Sequence, residues 1–176
     1  MLEVLNMKDF DKVYELMEVS FPRDEYRNYE DQKALLSDSS YIIYVVYDET
    51  RGIKAFMAVW DFDEFAFIEH FAVSPKFRNN GIGKEMLSQI AKVLGKRMCL
   101  EVEEPDTNMA KRRIGFYERN NFFLNKYPYI QPALSKERDS IPLLIMTTGA
   151  GLDEETFLNI KKSLYSKVYK VKSLTL

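Results

Sequence analysis

The residues whose types and spacing best suit chemistry run from Ser74 to Lys84, in the order Ser-Pro-Lys-Phe-Arg-Asn-Asn-Gly-Ile-Gly-Lys. The run separates a predicted strand from a strongly periodic helix. The first N–H groups of a helix lack internal partners, and that helix end carries partial positive charge. Gly81 and Gly83 remove side chains where the backbone must approach a ligand closely or adopt a positive φ. The run therefore suits a diphosphate, although an ordinary turn before a helix explains it equally well.

Two widespread phosphate-binding motifs do not fit this run. A Walker A loop that ends at Gly83–Lys84 needs a glycine in place of Arg78 and a Ser or Thr in place of Glu85. A dinucleotide-binding fingerprint that begins at Gly81 needs a third glycine in place of Met86. Both motifs are excluded.

Length and composition indicate one ordinary globular domain: 176 residues, of which 46% are hydrophobic, 30% charged and 14% aromatic. With 25 Lys and Arg against 27 Asp and Glu, the net charge of −2 gives no pull toward nucleic acid or acidic membranes. Cys99 and His70 are the single residues of their types, so no intramolecular disulfide forms and no metal site is predicted. The first residues lack a secretion signal, and no apolar run approaches the roughly 18 residues of a membrane span. We predict a soluble, cytoplasmic protein.

Hydrophobic periodicity predicts the elements that must position the run. Strands are predicted at 2–5, 41–47, 53–61, 64–73 and 98–102, and helices at 9–19, 27–36, 83–94 and 108–119. Two last strands, 122–124 and 143–146, flank a long connection that contains Pro and Tyr. Apolar residues three or four apart then predict an amphipathic closing helix capped by Asp153. This order favours an α/β domain around a mixed sheet.

Two stretches carry a resemblance to a known family: Arg-x-x-Gly-x-Gly at 78–83 and Phe-Tyr-Glu-Arg-x-x-Phe at 116–122. With the order of elements over residues 1–147, they resemble the GNAT superfamily of acetyl-CoA-dependent N-acetyltransferases. The resemblance implies a GNAT-like mixed, mostly antiparallel sheet, flanked by helices, with a splay between the fourth and fifth strands. We therefore predict an acetyltransferase domain at 1–148 and a C-terminal helical extension at 149–176, packed on the same domain.

The helix before Tyr117 departs from the family pattern. Many relatives carry Asn where Ala110 stands and Ala where Arg113 stands, and Asn108 is the candidate to supply the missing amide. Asn121 stands where relatives usually have glycine. That change is mild, because Asn tolerates a left-handed turn better than most residues do.

The resemblance implies how acetyl-CoA, the cosubstrate, would bind. The backbone at the end of the fourth strand would pair with the pantetheine arm like an added strand, and the N–H groups of the following run would hold the pyrophosphate. The cofactor-binding residues are then Phe71, Ala72, Val73, Arg78, Asn79, Asn80, Gly81, Ile82, Gly83, Lys84 and Asn108. An amine attacks the thioester directly, so Cys99 is expected to be a buried strand residue.

Two proton transfers accompany this reaction. A lysine-like amine has a pKa of about 10.4 and must lose a proton before it attacks. Glu69 and Glu101 interrupt apolar strands and rank nearly equally as the general base, although ion-paired or exposed strand residues explain them as well. Strand alternation places Glu69 on the face of Val73, and His70 on the opposite face in a structural role.

The second transfer concerns the thiolate that leaves. Tyr117 matches the family tyrosine whose hydroxyl lies near the cofactor sulfur. We predict that it helps to protonate the thiolate without being indispensable. The alternative is a helix tyrosine that only packs on the sheet.

The resemblance implies that the acceptor, a small-molecule or peptide amine, is bound by residues 21–29 and 127–132, whose aromatic side chains suit an apolar stem. Solvated helix ends and a loop packed by its own rings explain these residues as well. A homodimer is left open. One rival reading is a sensor or partner module that binds acetyl-CoA or CoA without turnover. The other is a generic phosphate-binding domain without acyl chemistry.

Overall fold

The computed structural model describes residues 1–171, so the end of the predicted extension, residues 172–176, lies outside the described residues. Two compact units divide the chain, Met1–Met98 and the part from Cys99 onward. Strands in both units pair antiparallel with their neighbours, and helices flank them. The predicted fold class, a mixed and mostly antiparallel α/β fold, is confirmed.

The first unit is built on four strands that are neighbours in chain order. They are β1 (Leu2–Val4), β2 (Tyr41–Tyr47), β3 (Ile53–Asp61) and β4 (Phe65–Val73). The helices are α1 (Phe10–Ser20), α2 (Tyr29–Ala34) and α3 (Ile82–Leu94). The bounds predicted for β2 and β3 are confirmed to the residue. α2 is shorter than the predicted helix 27–36, because it begins only at Tyr29 and a 3-10 turn at Leu35–Ser37 replaces its last residues.

Helical spacing of apolar residues explains how α1 and α3 bury one face. Both helices contact β3 and β4. The buried apolar residues are Phe10, Val13, Leu16 and Met17 on α1 and Met86, Leu87 and Ile90 on α3. Burial of this stripe removes apolar surface from water and holds each helix end in a fixed place. The start of α3, which follows the run predicted to bind a diphosphate, is positioned in this way.

The second unit contains β5 (Arg97–Val102), which begins at the boundary, and α4 (Asn108–Glu118). It continues with β6 (Phe122–Gln131), β7 (Ile141–Thr148) and α5 (Glu154–Ser163). β7 lies between β5 and β6 and pairs antiparallel with both. Cys99 is buried in β5, as predicted.

β6 is longer than the sequence pattern predicts. The strand was predicted to end at Leu124, with a connection across 127–132, but it continues to Gln131. Asn125 pairs with Ile145 and Tyr129 with Leu143, so an irregularity separates the two halves of the strand and contains Pro128. Proline cannot donate to a strand ladder, but it is tolerated at a bulge or on an edge strand. Pro128 therefore does not end β6.

The C-terminal segment contains α5 and a single π-helical turn, Leu164–Val168. Its predicted apolar stripe is confirmed, since Phe157, Ile160, Leu164 and Val168 are all buried. The division into domains at residue 148 stays a prediction. No helix within residues 1–171 combines the length and the apolar character needed to cross a bilayer.

The cap of α5 is confirmed and can be tested. Asp153 accepts a hydrogen bond from the Thr156 N–H at 2.8 Å. We expect Asp153→Ala to lower the free energy of unfolding by about 1 kcal/mol, because an orphan N–H loses its acceptor. Urea unfolding followed by circular dichroism measures this loss. Asp153→Asn keeps an acceptor oxygen and should match wild type; equal losses in both variants contradict the capping role.

Candidate functional site

A β-bulge at Glu69 shapes the middle of β4. Ala58 of β3 pairs with His70, and the next residue, Val59, pairs with Ile68, so Glu69 is an extra residue between two consecutive pairs. Such an insertion disrupts the alternation of side chains and re-aims the residues beside it. Oε2 of Glu69 lies 3.8 Å from Nδ1 of His70. The prediction that these two side chains occupy opposite faces is therefore wrong.

The same bulge separates Glu69 from the face of Val73. Val73 pairs with Ala55, and Ala55 and Trp60 lie on opposite faces of β3, since they are an odd number of residues apart. Glu69 is bonded to the Trp60 side chain. The Glu69 side chain therefore lies on the opposite face of the sheet from that of Val73. The prediction from strand alternation, which placed both on one face, is wrong.

Glu69 is a buried carboxylate with a donor on each oxygen. Arg27 Nη1 donates to Oε1 at 2.7 Å, and Trp60 Nε1 donates to Oε2 at 3.0 Å. The side chains of Arg27 and Glu69 are 9% and 4% exposed. Burial by itself raises the pKa of Glu69, but the positive charge of Arg27 and the two hydrogen bonds hold this pKa below its ordinary value. Glu69 is therefore ionised at neutral pH.

His70 is a buried neutral imidazole. Its Nε2 lies 2.7 Å from the Glu25 carbonyl oxygen, and because a carbonyl only accepts, Nε2 carries the hydrogen. Burial lowers the pKa of His70, although Glu69 acts in the opposite direction. Nδ1 is therefore an unprotonated acceptor, and among residues 1–171 it has no hydrogen-bond partner. The structural role predicted for His70 agrees with these contacts.

Glu69 and His70 together fix the chain between α1 and α2. The ring of Phe21 packs edge-on against His70, with centroids 5.0 Å apart. Glu25 is held through its carbonyl and Arg27 through its guanidinium. The segment 21–29, which the sequence assigns to the acceptor surface, is therefore clamped onto the bulge of β4.

The backbone of Arg27 is also fixed. The Tyr14 hydroxyl donates to its carbonyl at 3.1 Å, and the Gln32 side-chain oxygen accepts its N–H at 3.3 Å. Gln32 Nε2 donates in turn to the Tyr41 hydroxyl at 2.8 Å. These bonds hold the Arg27 backbone in place, and from there its guanidinium donates to Glu69.

The turn before α3 presents backbone amides at the surface. Gly81 precedes the helix at φ +77°, and no side chain among the described residues caps this end. Asn79 also has a positive φ, of +64°. The first bond of the helix runs from the Glu85 N–H to the Gly81 carbonyl at 3.0 Å, so the amides of residues 82–84 lie ahead of the hydrogen-bonded turns. The exposed run 78–81 adjoins this positive helix end.

The end of β4 leads directly into this turn. Residues 71–73 pair with 55–57 of β3. The Nε of Arg78 donates to the Val73 carbonyl at 3.0 Å, which ties the turn to the strand. Uncapped amides at a cationic, glycine-containing helix start are the donor set that a pyrophosphate requires. The residues present therefore fit the predicted diphosphate.

Glu101 of the second unit is surrounded by phenols. The Tyr129 hydroxyl donates to Oε1. The Tyr169 hydroxyl lies 2.7 Å from Oε1 and 2.8 Å from Oε2. Burial, followed by the charge of Glu101, raises the pKa of Tyr129 well above its usual range. Tyr129 is therefore a neutral donor, and Oε1 of Glu101 is its acceptor.

Tyr117 is buried on α4, between the rings of Phe116 and Phe122 at centroid distances of 5.3 and 5.5 Å. Burial raises its pKa to about 12, against the opposing charge of Arg113. Asn108 is exposed at the first position of α4, and Thr107 caps that helix through the Ala110 N–H at 3.0 Å.

Comparison with known proteins identifies the family. The model of the "Acetyltransferase (GNAT) family" matches residues 8–122, which is more than half of the chain. The chain belongs to the GNAT family. The matched residues include the turn before α3 and Tyr117, so the family prediction made from those two stretches is confirmed.

Similar proteins extend the GNAT assignment beyond the matched residues. The solved structure "Putative acetyltransferase from GNAT family from Bacteroides thetaiotaomicron" is 35% identical, covers 98% of this chain and 99% of its own, and has a TM-score of 0.87. "Putative acetyltransferase YjbC" of Bacillus subtilis (strain 168) is 27% identical, over 90% of this chain and 82% of its own. The ribosomal-protein-S18-alanine N-acetyltransferase from Escherichia coli is 19% identical, over 88% of this chain and 96% of its own. Its TM-score of 0.63 shows a shared fold.

Sequence reasoning missed the partners of both carboxylates. A Glu within an apolar strand signals that donors must lie nearby, because an unpaired buried charge is costly. That signal does not identify the residues that donate to each carboxylate. Arg27 is 42 residues from Glu69, and Tyr169 is 68 residues from Glu101.

The Arg27–Glu69 pair predicts a specific pattern of stability. Glu69→Gln removes the buried carboxylate that accepts from the Arg27 guanidinium, so we expect a loss of about 3–5 kcal/mol in the free energy of unfolding at pH 7. The double variant Arg27→Met/Glu69→Leu removes both charges and should be more stable than Glu69→Gln. Urea unfolding at neutral pH measures both variants, and equal stability of the two contradicts the ion pair.

The acid dependence of stability provides the control. Because the folded-state pKa of Glu69 is lowered, its contribution is complete above the ordinary value of 4.5 and is lost as pH falls through the folded pKa. Wild-type stability should therefore fall more steeply below this pH than that of the double variant.

Proposed function

We propose that this protein transfers the acetyl group of acetyl-CoA to a primary amine by direct attack of the amine on the thioester. The observation that carries the proposal is the amide-lined turn at 78–84, at the start of the 13-residue helix α3. Membership of the GNAT family supports the acyl chemistry. Acetyl-CoA supplies the activated acetyl group, and the following roles are assigned to this chain's own residues.

The cofactor-binding role falls to the end of β4 and the turn. We assign the pyrophosphate to the N–H groups of residues 79–84, with Arg78 and Lys84 adding positive charge. The backbone of 71–73 is assigned to the pantetheine arm, as in strand addition. Asn108 is proposed as an amide donor from the first turn of α4.

Glu101 is the better candidate for the general base. The sequence ranks it nearly equal with Glu69, but the surroundings of the two differ. Glu69 is buried in an ion pair with Arg27, which opposes its protonation. Glu101 is half-buried, and its donors Tyr129 and Tyr169 carry no formal charge. Taking a proton from an amine breaks the buried ion pair of Glu69, whereas the hydroxyls of Tyr129 and Tyr169 can accept as well as donate and so tolerate a protonated Glu101.

Tyr117 is proposed to donate a hydrogen bond to the thiolate that leaves. Its pKa of about 12 lies above the pKa of about 8.5 typical of a thiol, so complete proton transfer to the sulfur is uphill. Donation alone stabilises developing negative charge. Tyr117 therefore assists departure without being indispensable, as its family position suggests.

The acceptor is proposed to be a small-molecule or peptide amine. The Escherichia coli structure that shares the fold is named for an alanine of ribosomal protein S18, which is an amine of this kind. In this chain the aromatic segment 21–29 is the proposed contributor to the acceptor surface, since buried contacts fix its place.

Binding of CoA tests the role of the turn. Gly81→Ala strains a residue at φ +77°, so we expect about tenfold weaker CoA affinity by titration calorimetry, which corresponds to about 1.4 kcal/mol. Gly95→Ala is the matched control: Gly95 ends the same helix at φ +61°, and at both positions an added Cβ meets open space. It should bind CoA as wild type does. Equal weakening in both variants, or no heat with wild type, overturns the assignment.

Turnover separates transfer from binding without chemistry. Thiol release from acetyl-CoA is followed with a panel of small amines and peptide N-termini. We expect Glu101→Gln and Tyr117→Phe each to lower kcat by a factor of about 100 or more while CoA affinity stays unchanged. Wild-type CoA binding with no turnover across the panel favours the alternative, a sensor or partner module. Full activity of both variants removes the two roles.

A further inference from the structure

The C-terminal tail, residues 164–171, is anchored in the second unit beyond the residues that the family model matches. Leu164 is fully buried and Val168 nearly so. Between them the chain makes one π-helical turn, closed by the bond from the Tyr169 N–H to the Leu164 carbonyl at 3.1 Å. Such wide turns are rare, and they occur frequently at functional sites. The turn ends where Tyr169 meets Glu101.

Tyr169 engages both oxygens of that carboxylate. Its hydroxyl lies 2.7 and 2.8 Å from Oε1 and Oε2, while Tyr129 of β6 donates to Oε1. A donor shared by both oxygens fixes the rotation of the carboxylate, which a donor to one oxygen does not. Hydrogen bonds to the charged form also favour that form over the protonated one.

Tyr165 packs beside both phenols, but its own hydroxyl bonds elsewhere. Its ring lies 5.9 Å from that of Tyr129 and 6.5 Å from that of Tyr169. Its hydroxyl donates to the Ile130 carbonyl at 2.5 Å. The titratable side chains gathered around Glu101 thus include Tyr129 from β6 and Tyr165 and Tyr169 from the tail.

We propose that Tyr169 is a positioning residue that holds the Glu101 carboxylate ionised and oriented, which makes the C-terminal tail part of the active site. The proposal rests on the proposed function in its choice of Glu101 as the base. It assigns a role to a segment that the family resemblance leaves unexplained. A carboxylate that is ionised and cannot rotate presents the same lone pair to each incoming amine.

Two variants separate the hydroxyl from the packing. Tyr169→Phe removes the donor and keeps the ring. Tyr165→Phe is the matched control. It also removes a hydroxyl from the tail, but that hydroxyl donates to the Ile130 carbonyl and not to Glu101. With Tyr169→Phe we expect kcat to fall about tenfold, with KM for acetyl-CoA and the melting temperature unchanged. Tyr165→Phe should keep the wild-type kcat.

An activity-independent readout completes the test. In protein labelled with ¹³C at glutamate carboxyls, the Glu101 resonance is assigned by its loss in Glu101→Gln and titrated with pH. Loss of a donor to the charged form should raise the Glu101 pKa by about 1 unit in Tyr169→Phe and leave it unchanged in Tyr165→Phe. An unchanged Glu101 titration in Tyr169→Phe overturns the proposal, as does an equal rise in both variants.

The two measurements also separate this proposal from the proposed function. If the wild-type protein turns over no amine, the acetyl-transfer assignment is wrong, whatever the result of the Glu101 titration. If the wild-type enzyme is active and Tyr169→Phe has the same kcat, only the positioning role of Tyr169 is wrong.

Discussion

An ionised carboxylate inside an apolar sheet must replace the water it has lost, and Glu69 does so through Arg27 and Trp60. Much of the first unit depends on that requirement. The bulge in β4 turns Glu69 toward its donors, and the ion pair draws the segment after α1 onto the strand. His70 adds a second link through the Glu25 carbonyl. These two contacts add to the hydrogen bonds that Tyr14 and Gln32 make to the Arg27 backbone, and together they fix the loop.

The two strand glutamates, Glu69 and Glu101, have different surroundings, and different roles suit them. Glu69 meets a formal positive charge and is nearly inaccessible, which suits a structural anchor. Glu101 accepts from the phenols of Tyr129 and Tyr169 and is half-buried, which suits the general-base role that we propose for it. A charged partner stabilises the ionised form so strongly that protonation disrupts the structure, whereas neutral donors stabilise it moderately.

The turn at 78–84, to which we assign the pyrophosphate, is the part of the candidate site whose structure could be predicted best. Its determinants are local: a glycine that accepts a positive φ, uncapped amides at a helix start, and an apolar stripe that holds the helix. The strands 41–47 and 53–61 were predictable for a similar reason, since each is a run of apolar and β-branched residues between turn signals. β6 was mispredicted, because Pro128 reads as a strand end unless the irregularity around it is known.

The sequence by itself determined the family, the mixed α/β class, the turn at 78–84 and the apolar faces of the helices. These depend on side chains near one another in the chain, where backbone geometry sets their relation. The tertiary structure alone decided which way Glu69 points and which donors reach Glu69 and Glu101. A bulge shifts every side chain beside it, and its position depends on strand pairing. Donors that lie 42 and 68 residues away are brought in only by the folded chain.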